Sequence, residues 1–258
     1  MSKARDVLPI SRTKEEARQA YDRISKSYDY TLGLLGRKYA QTALERLSVV
    51  EGETVLEIGF GTGHCLDRAA KLVGPGGKVC GIDISPAMIE KTKERLKKDG
   101  LANRADLCCG DAMCLPFREN SFDAVFMSFT LEVFDTAEIP GVLVQIKRVL
   151  RPDGRLGIVA MSKEDGRSVF LKAYEWIHNK FRKYFGTRPI YAGECLIDAG
   201  YQIKSKQKIR IFRLPAEIIV AVKAMSGNAA WHWNPRYTVP ARPTANQALC
   251  SPEHRQQD

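Results

Sequence analysis

The sequence predicts an α/β protein: a mostly parallel sheet with helices on both faces. Three observations carry this reading. Short apolar runs alternate with stretches of helical period between Thr54 and Ala160, the pattern of successive βαβ units. Turn signals separate them, such as "GPGG" (74–77) and "PDG" (152–154). A glycine-rich turn, "GFGTG" (59–63), directly follows the first apolar run. Glycine there is costly in backbone entropy, so something must approach the backbone closely.

The elements follow in order. Thr13 and Glu16 form a capping box, opening a helix that runs through Ala17, Tyr21, Ile24 and Tyr28. A second helix is expected near Lys38 to Leu47, after Gly33 and Gly36. Residues 1–48 thus read as an N-terminal helical cap. "TVLEI" (54–58) is a buried strand and 63–72 its helix. "KVCGID" (78–83) is the second strand. Ser85 as N-cap and Pro86 at the first helical position open a helix that ends at Gly100. A strand near 105–109, the strand "FDAVFMS" (122–128), a helix at 140–150 and the strand "RLGIVA" (155–160) complete this series of five strands. A long helix over about 168–184, a short one near 193–199 and strands near 201–209 and 211–222 follow. Pro215 suits an edge or a bulge. Residues 49–225 form the main domain, and 226–258, with four prolines and no periodicity, read as a disordered tail.

Composition is ordinary for a globular chain of 258 residues, with 44% hydrophobic and 27% charged residues. The N-terminus has no apolar core of signal-peptide length, and the run Ile218 to Val222 is far too short to span a bilayer. A soluble cytoplasmic protein is the expectation. Seven cysteines without a CxxC pair suit a reducing compartment and give no metal site. The net charge of +10 is uneven: +4 over residues 1–50, −2 over 51–160 and +8 over 161–258. Basic flanks suit phosphate, a membrane or nucleic acid, or serve solubility alone.

The glycine turn departs from both common nucleotide motifs. The dinucleotide fingerprint needs a third glycine where His64 stands, and no GK[ST] follows for a phosphate loop. The glycines are instead spaced GxGxG, preceded by Glu57 and followed by Asp83 at the end of the second strand. A carboxylate there can accept both hydroxyls of a ribose. "GDAMCLPF" (110–117) then supplies Asp111, the fourth strand ends at Ser128, and "VLRPDGRL" (149–156) follows.

This ordered set resembles the class I S-adenosylmethionine-dependent methyltransferases, over roughly Arg18 to Lys223. "YDRISKSYDY" (21–30) makes the chain most similar to the ubiquinone/menaquinone C-methyltransferase group and the related bacterial phospholipid N-methyltransferases. The resemblance implies a Rossmann-like seven-stranded sheet and S-adenosyl-L-methionine as cofactor. It implies that Gly59, Gly61 and Gly63 pass under the methionine part and that Glu57 holds the loop and faces the ammonium. Asp83 would bind the ribose, Ile84 and Met88 the adenine face, and Asp111 and Ala112 the adenine edge. Ser128 would offer a carbonyl to the ammonium, and Tyr28 would close the site. Each residue has a purely structural alternative: Glu57 and Asp111 as turn acids, Asp83 as a cap ahead of Ser85, Met88 as core and Tyr28 as helix packing.

Methyl transfer from a sulfonium expels a neutral thioether, so orientation and exclusion of water can supply most of the catalysis. A base is needed only if the acceptor must lose a proton. His64, Glu132 and Asp135 are candidates, and none is singled out. On the acceptor side, Phe170, Tyr174, Ile177, Phe181 and Tyr184 form one helical stripe expected to pack on the sheet, with Lys172, Trp176 and Lys183 opposite. An aromatic among lysines suits a membrane interface. Lys204, Lys206, Lys208 and Arg210 alternate along a strand and are expected to face one side. The leading expectation is a methyltransferase for a small lipophilic acceptor, a quinol or a phospholipid amine, with peripheral membrane contact. The alternatives are an RNA methyltransferase, favoured only by charge, and a non-catalytic cofactor-binding protein.

Overall fold

Seven strands pair into one sheet among the described residues: β1 (Thr54–Ile58), β2 (Lys78–Asp83), β3 (Ala105–Cys109), β4 (Phe122–Ser128), β5 (Leu150–Met161), β6 (Tyr201–Ile211) and β7 (Leu214–Lys223). The computed structural model describes residues 7–10, 12–26, 28–30, 32–164, 169–180, 187–211 and 213–224. The strand order is β3-β2-β1-β4-β5-β7-β6. The first five strands are parallel, and β7 runs antiparallel to both β5 and β6. The predicted α/β class and strand count therefore hold.

Two layers cover the sheet, and the strand alternation assigns each residue to one of them. Leu56, Ile58, Val125, Met127 and Ile158 face α5 (Ile139–Val149) and α7 (Ala192–Asp198). Val55, Ala124, Phe126 and Val159 face the other way, toward α2 (Leu32–Arg46), α3 (His64–Leu72) and α4 (Pro86–Lys98). This period of two is what a sheet buried on both faces demands.

The N-terminal helix α1 (Lys14–Ile24) starts at the predicted capping box: Thr13 accepts from the Glu16 amide, and Glu16 Oε2 accepts from the Thr13 amide at 2.8 Å. It ends four residues before Tyr28, which lies in a separate 3-10 turn, Tyr28–Tyr30. Helix α2 begins earlier than expected and includes Gly33 and Gly36. Tertiary burial of Ala43, Leu44 and Leu47 outweighs the poor helix propensity of glycine.

Three expectations about the C-terminal half need correction. "PDG" does not simply precede β5: the register jumps from Phe122↔Leu150 to Ala124↔Arg155, so Arg151 to Gly154 bulge out of the strand. Pro215 is not on an edge strand, because β7 is interior; it sits at the start of the strand, where a missing N–H is tolerated. The basic alternation in β6 is interrupted at Lys204 by a register shift between Ile203 and Ser205. Only Lys206, Lys208 and Arg210 then oppose Ile219, Glu217 and Pro215 in step.

Helix α6 (Val169–Lys180) also differs from its predicted packing. Its buried contact is Leu171, whereas Phe170 and Ile177 are 46% and 38% exposed. The predicted stripe is therefore not the packed face. Phe181, Lys183 and Tyr184 lie outside the described residues, as does the predicted tail.

Candidate functional site

The sheet reverses its direction of build between β1 and β4, one side continuing to β2 and β3 and the other to β5. Ligands of open α/β sheets bind at the carboxyl ends of the strands at such a point. A cleft of about 1020 Å³, its open mouth included, lies there. Tyr28, Gly59, Gly61, Asp83, Ile84, Met88, Asp111, Ala112 and Ser128 all line it. Glu57 and Gly63 do not.

The glycine turn explains itself locally. Gly59 has φ +69°, and a Cβ there would fall 2.4 Å from Thr130 Cγ2. Gly63 has φ +76° as N-cap of α3, and its Cβ would fall 2.4 Å from Thr92 Cγ2. Gly61 is different: a Cβ there would meet only Tyr28, at 3.8 Å, so this backbone is bare toward the cleft.

Asp83 holds that turn and reaches the cleft as well. Its Oδ2 accepts from the Gly61 amide and its Oδ1 from the Ser85 amide, both at 2.9 Å. Burial pushes its carboxyl up to about 6, against these two donors and the Ile84 amide. Asp111 is also both cap and lining: Oδ1 accepts from the Met113 amide at 2.9 Å, and Oδ2 meets Lys14 Nζ at 2.5 Å. Met88 is 1% exposed, so it is a core residue that also borders the cleft.

Glu57 stands one residue from the end of β1, buried on the α3 side. Its Oε2 has no hydrogen-bond partner among the described residues. Burial, and then the charge of Asp83, raise its carboxyl well above the usual range. A buried carboxylate oxygen without a donor is expensive, and an ammonium beneath the turn, directly or through water, would complete it. The bare Gly61 backbone, the Asp83 carboxylate and this unfilled acceptor together fit an amino-acid-bearing nucleoside.

"YDRISKSYDY" divides its work between its acids and its tyrosines. Asp22 Oδ1 accepts from Ser85 Oγ at 2.6 Å and from the Ala87 amide at 3.3 Å, at the start of α4. Asp29 accepts from Thr62 Oγ1 at 2.5 Å and pairs with Arg95 Nη2 at 2.9 Å. The two acids fasten the N-terminal segment to the glycine turn and to α4, and Tyr21 and Tyr28 line the cleft.

The three candidate bases separate. His64 Nε2 lies among Arg37 Nη2 (2.5 Å), Arg95 Nη2 (2.8 Å) and Asp29 Oδ1 (3.1 Å), away from the cleft lining. Burial first, and the neighbouring arginines, lower its pKa despite Asp29. Asp135 lines the cleft. Glu132 is fully buried; its Oε1 accepts from the Met161 amide at 3.2 Å, and its Oε2 has no partner among the described residues.

Two positions escaped the sequence reading. Lys14 bridges Asp111 and Glu138, at 2.5 and 2.9 Å. Arg188 is fully buried and donates to the carbonyls of Leu8 (2.5 Å), Glu132 (3.3 Å) and Phe134 (2.9 Å) and to Thr136 Oγ1 (3.0 Å). Lys14 carried a weak signal, standing in the first turn of a capped helix. Arg188, a lone arginine before Pro189, carried none.

Comparison with known proteins agrees with this geometry. The methyltransferase-domain family matches residues 55–154. The ubiquinone/menaquinone biosynthesis C-methyltransferase of Hahella chejuensis is 30% identical over 172 residues, covering 65% of this chain and 68% of that protein. The demethylmenaquinone methyltransferase of Symbiobacterium thermophilum is 30% identical over 196 residues, covering 70% and 77%. A solved S-adenosylmethionine-dependent methyltransferase from Aquifex aeolicus superposes with TM-score 0.59 at 25% identity, covering 78% of this chain and 98% of its own. The cyclase SpnF superposes with TM-score 0.68 at 21% identity, covering 84% and 98%, which shows the shared fold alone. The chain belongs to the class I S-adenosylmethionine-dependent methyltransferases. Within that class its group is that of the ubiquinone/menaquinone methyltransferases. It is an enzyme, and S-adenosylmethionine is its cofactor.

Proposed function

We propose that this enzyme methylates a small lipophilic acceptor of the quinol type. The observation that carries the reading is the asymmetry of the cleft. Asp83 and Asp111 stand at the ends of β2 and β3, and Phe129, Val133 and Phe134 line the side after β4, together with Asp135 and Glu138. A polar nucleoside suits the first side and a flat apolar acceptor the second. The relatives named for ubiquinone and menaquinone methylation support the same class.

On this reading Asp83 accepts the ribose hydroxyls, and Ile84 and Met88 flank the adenine. Asp111 and the Ala112 backbone read its edge. Glu57 and the Ser128 carbonyl take the ammonium around the turn of Gly59, Gly61 and Gly63. Gly63 and Glu57 act from behind the cleft wall, and Tyr28 closes it from the N-terminal side. The bound cofactor supplies an electrophilic methyl group whose leaving partner is a neutral thioether. The chain's own residues have to orient the acceptor and exclude water.

Peripheral membrane contact belongs to the same proposal. No helix among the described residues is long and apolar enough to cross a membrane. Trp176 is 63% exposed, with Lys180 Nζ 5.2 Å from its ring centroid, and Arg213 lies 4.9 Å over the exposed Phe170 ring. Aromatic rings flanked by cations suit an anionic bilayer surface.

The test is incubation of lipid extracts with the protein and methyl-labelled cofactor, read by mass spectrometry. Label in a quinone fraction is the expected result. Label confined to phospholipid headgroups or to RNA would overturn the quinol reading.

A further inference from the structure

Six charged side chains line the cleft: Arg12, Lys14, Asp83, Asp111, Asp135 and Glu138. The two cations differ. Lys14 is matched, with Asp111 at 2.5 Å and Glu138 at 2.9 Å. Arg12 forms no ion pair with any carboxylate among the described residues. Its Nε is buried and has no hydrogen-bond partner. Its guanidinium carbon lies 5.9 Å from the centroid of the Tyr21 ring, which lines the cleft as well. An unmet buried donor is costly, and a cation without a counter-charge in a cleft draws an anion into it.

Anchors on both sides of Arg12 fix which half of the cleft it serves. Before it, the Leu8 carbonyl accepts from Arg188 Nε at 2.5 Å, and the same guanidinium donates to the Phe134 carbonyl at 2.9 Å. After it, Lys14 Nζ reaches Glu138. Leu8 and Lys14 are thus both fastened to the loop after β4 that carries Phe134 and Glu138, and Arg12 stands between them in sequence. Val133 and Phe134 of that loop line the half of the cleft assigned to the acceptor. The carboxylate of the cofactor is a different matter. It shares a carbon with the ammonium assigned to Glu57, and so belongs at the glycine turn after β1.

We propose that Arg12 is a specificity-determining residue that holds a ring oxygen of the methyl acceptor as its anion, the guanidinium donating to the aryloxide. The inference rests on the quinol-type reading and narrows the acceptor to one bearing an ionisable aryl hydroxyl. On binding, the acceptor O–H bond breaks, its electron pair stays on the oxygen, and the proton passes to solvent water. The ring is thereby electron-rich when it meets the electrophilic methyl group. Arginine suits this role because it keeps its charge at every working pH and presents a planar fork of donors. The phenol of Tyr21 already feels this field. Burial first raises its hydroxyl, with Asp83 and Glu132 adding, and the Arg12 charge opposes them. Of the other charges lining the cleft, Lys14 supports an anion, and Asp83, Asp111, Asp135 and Glu138 oppose one. Direct contact with the guanidinium is therefore what tips the balance.

The experiment titrates bound 4-nitrophenol, whose anion alone absorbs visible light, with S-adenosylhomocysteine present so that no methyl transfer occurs. In the wild type its acid constant is expected to rise by about tenfold or more over that in solution, as beside an adjacent opposite charge. Arg12→Met is expected to abolish the rise, and Arg12→Lys to retain part of it. Affinity for S-adenosylhomocysteine should be unchanged in both. Turnover of a quinol by Arg12→Met should fall by about tenfold or more near neutral pH. It should recover at alkaline pH, where solvent alone ionises the acceptor. An equal acid constant in wild type and Arg12→Met, or no nitrophenol binding at all, would overturn the proposal. So would an Arg12→Met protein that loses affinity for S-adenosylhomocysteine but not for its decarboxylated analogue, since the guanidinium would then hold the cofactor. A wild type that ionises nitrophenol through Arg12 but methylates no quinol would instead overturn the quinol reading and leave the aryloxide site standing.

Discussion

Lys14 Nζ lies 2.5 Å from Asp111 Oδ2, joining the first turn of the N-terminal helix to the turn after β3 across 97 positions of sequence. The same ammonium sits 2.9 Å from Glu138. Both carboxylates border the cleft, so the pair straps its rim from the side where we place adenine. Half-exposed ion pairs are individually weak, but this one also fixes where α1 lies. Lys14→Met is expected to speed cofactor dissociation by about three- to tenfold, and the effect should vanish in an Asp111→Asn background. A double-mutant cycle on dissociation rates checks this. Additive effects of the two substitutions would show that the strap is decoration.

Asp83 should give two opposite pH dependences. Its folded pKa, about 6, is raised above the unfolded value by burial. Its contribution to stability is therefore fully present below the unfolded pKa, near 4, and is lost as pH rises through about 6. Cofactor affinity should run the other way, because the carboxylate is the better acceptor for two hydroxyls. Asp83→Asn should flatten both curves and weaken cofactor binding by about tenfold or more. Urea unfolding and calorimetry between about pH 4 and 8 measure the two trends. Parallel trends in wild type and variant would assign Asp83 to the turn alone.

Glu57 bears on proton release. Burial, and then the charge of Asp83, raise its pKa, and an ammonium ligand would lower it again toward the charged form. Cofactor binding near neutral pH is then expected to release a proton, visible as a dependence of the calorimetric heat on buffer ionisation enthalpy. Glu57→Gln should remove that dependence and lower affinity by about tenfold or more. Its unfolding free energy should not fall, since a buried charge site is gone.

The sheet and most of the cleft lining at the ends of β1 to β3 were legible in the sequence because they rest on short-range rules. Gly59, Gly61 and Gly63 declare their backbone, and Ser85 with Pro86 declares the start of α4. Asp83 falls at a strand end by counting. Packing of α6 was not legible. Which face of an amphipathic helix packs depends on what covers it, and Leu171, not the aromatic stripe, meets the core. The bulge at Lys204 was hidden for a similar reason, since regular alternation of lysines survives in the sequence when the register shifts. Arg188 could not be found at all, because its ligands are carbonyls from residues 8, 132 and 134, whose side chains give no hint of it.

Arg188 makes its own prediction. Its guanidinium closes the N-terminal segment at Leu8 onto the turn that carries Glu132. Arg188→Leu would strand several buried acceptors, at a cost of about 3 kcal/mol or more. Arg188→Lys should rescue little, since one ammonium cannot reproduce a planar fork. Hydrogen exchange should quicken at residues 7–10 and around Glu132 before the sheet is affected. Full stability in the lysine variant would count against the fork geometry.

The last prediction concerns the bilayer. Phe170, Trp176 and Ile177 are exposed on α6, and Lys180 and Arg213 stand over the two aromatic rings. The β6 lysines are a poorer candidate than the sequence suggested. Lys206 is committed to Glu164 and to the buried Glu217, and Lys208 lies 3.7 Å from Glu164. The contact should therefore be carried by α6, with apolar insertion adding to electrostatic attraction. Vesicles containing anionic lipid should bind the protein reversibly at low salt. The binding should weaken as the Debye length shrinks below roughly 8–10 Å, and neutral vesicles should bind less. Replacing Phe170 and Trp176 together by serine should reduce binding by about tenfold or more, since each ring buries apolar area at the interface. Lys206→Gln should leave vesicle binding unchanged and lower stability instead, because Glu217 loses its partner in a buried setting. Sedimentation with vesicles reads the first effect and urea unfolding the second. If Lys206→Gln weakens vesicle binding as much as the aromatic pair does, the contact surface lies on β6 and the assignment to α6 is wrong.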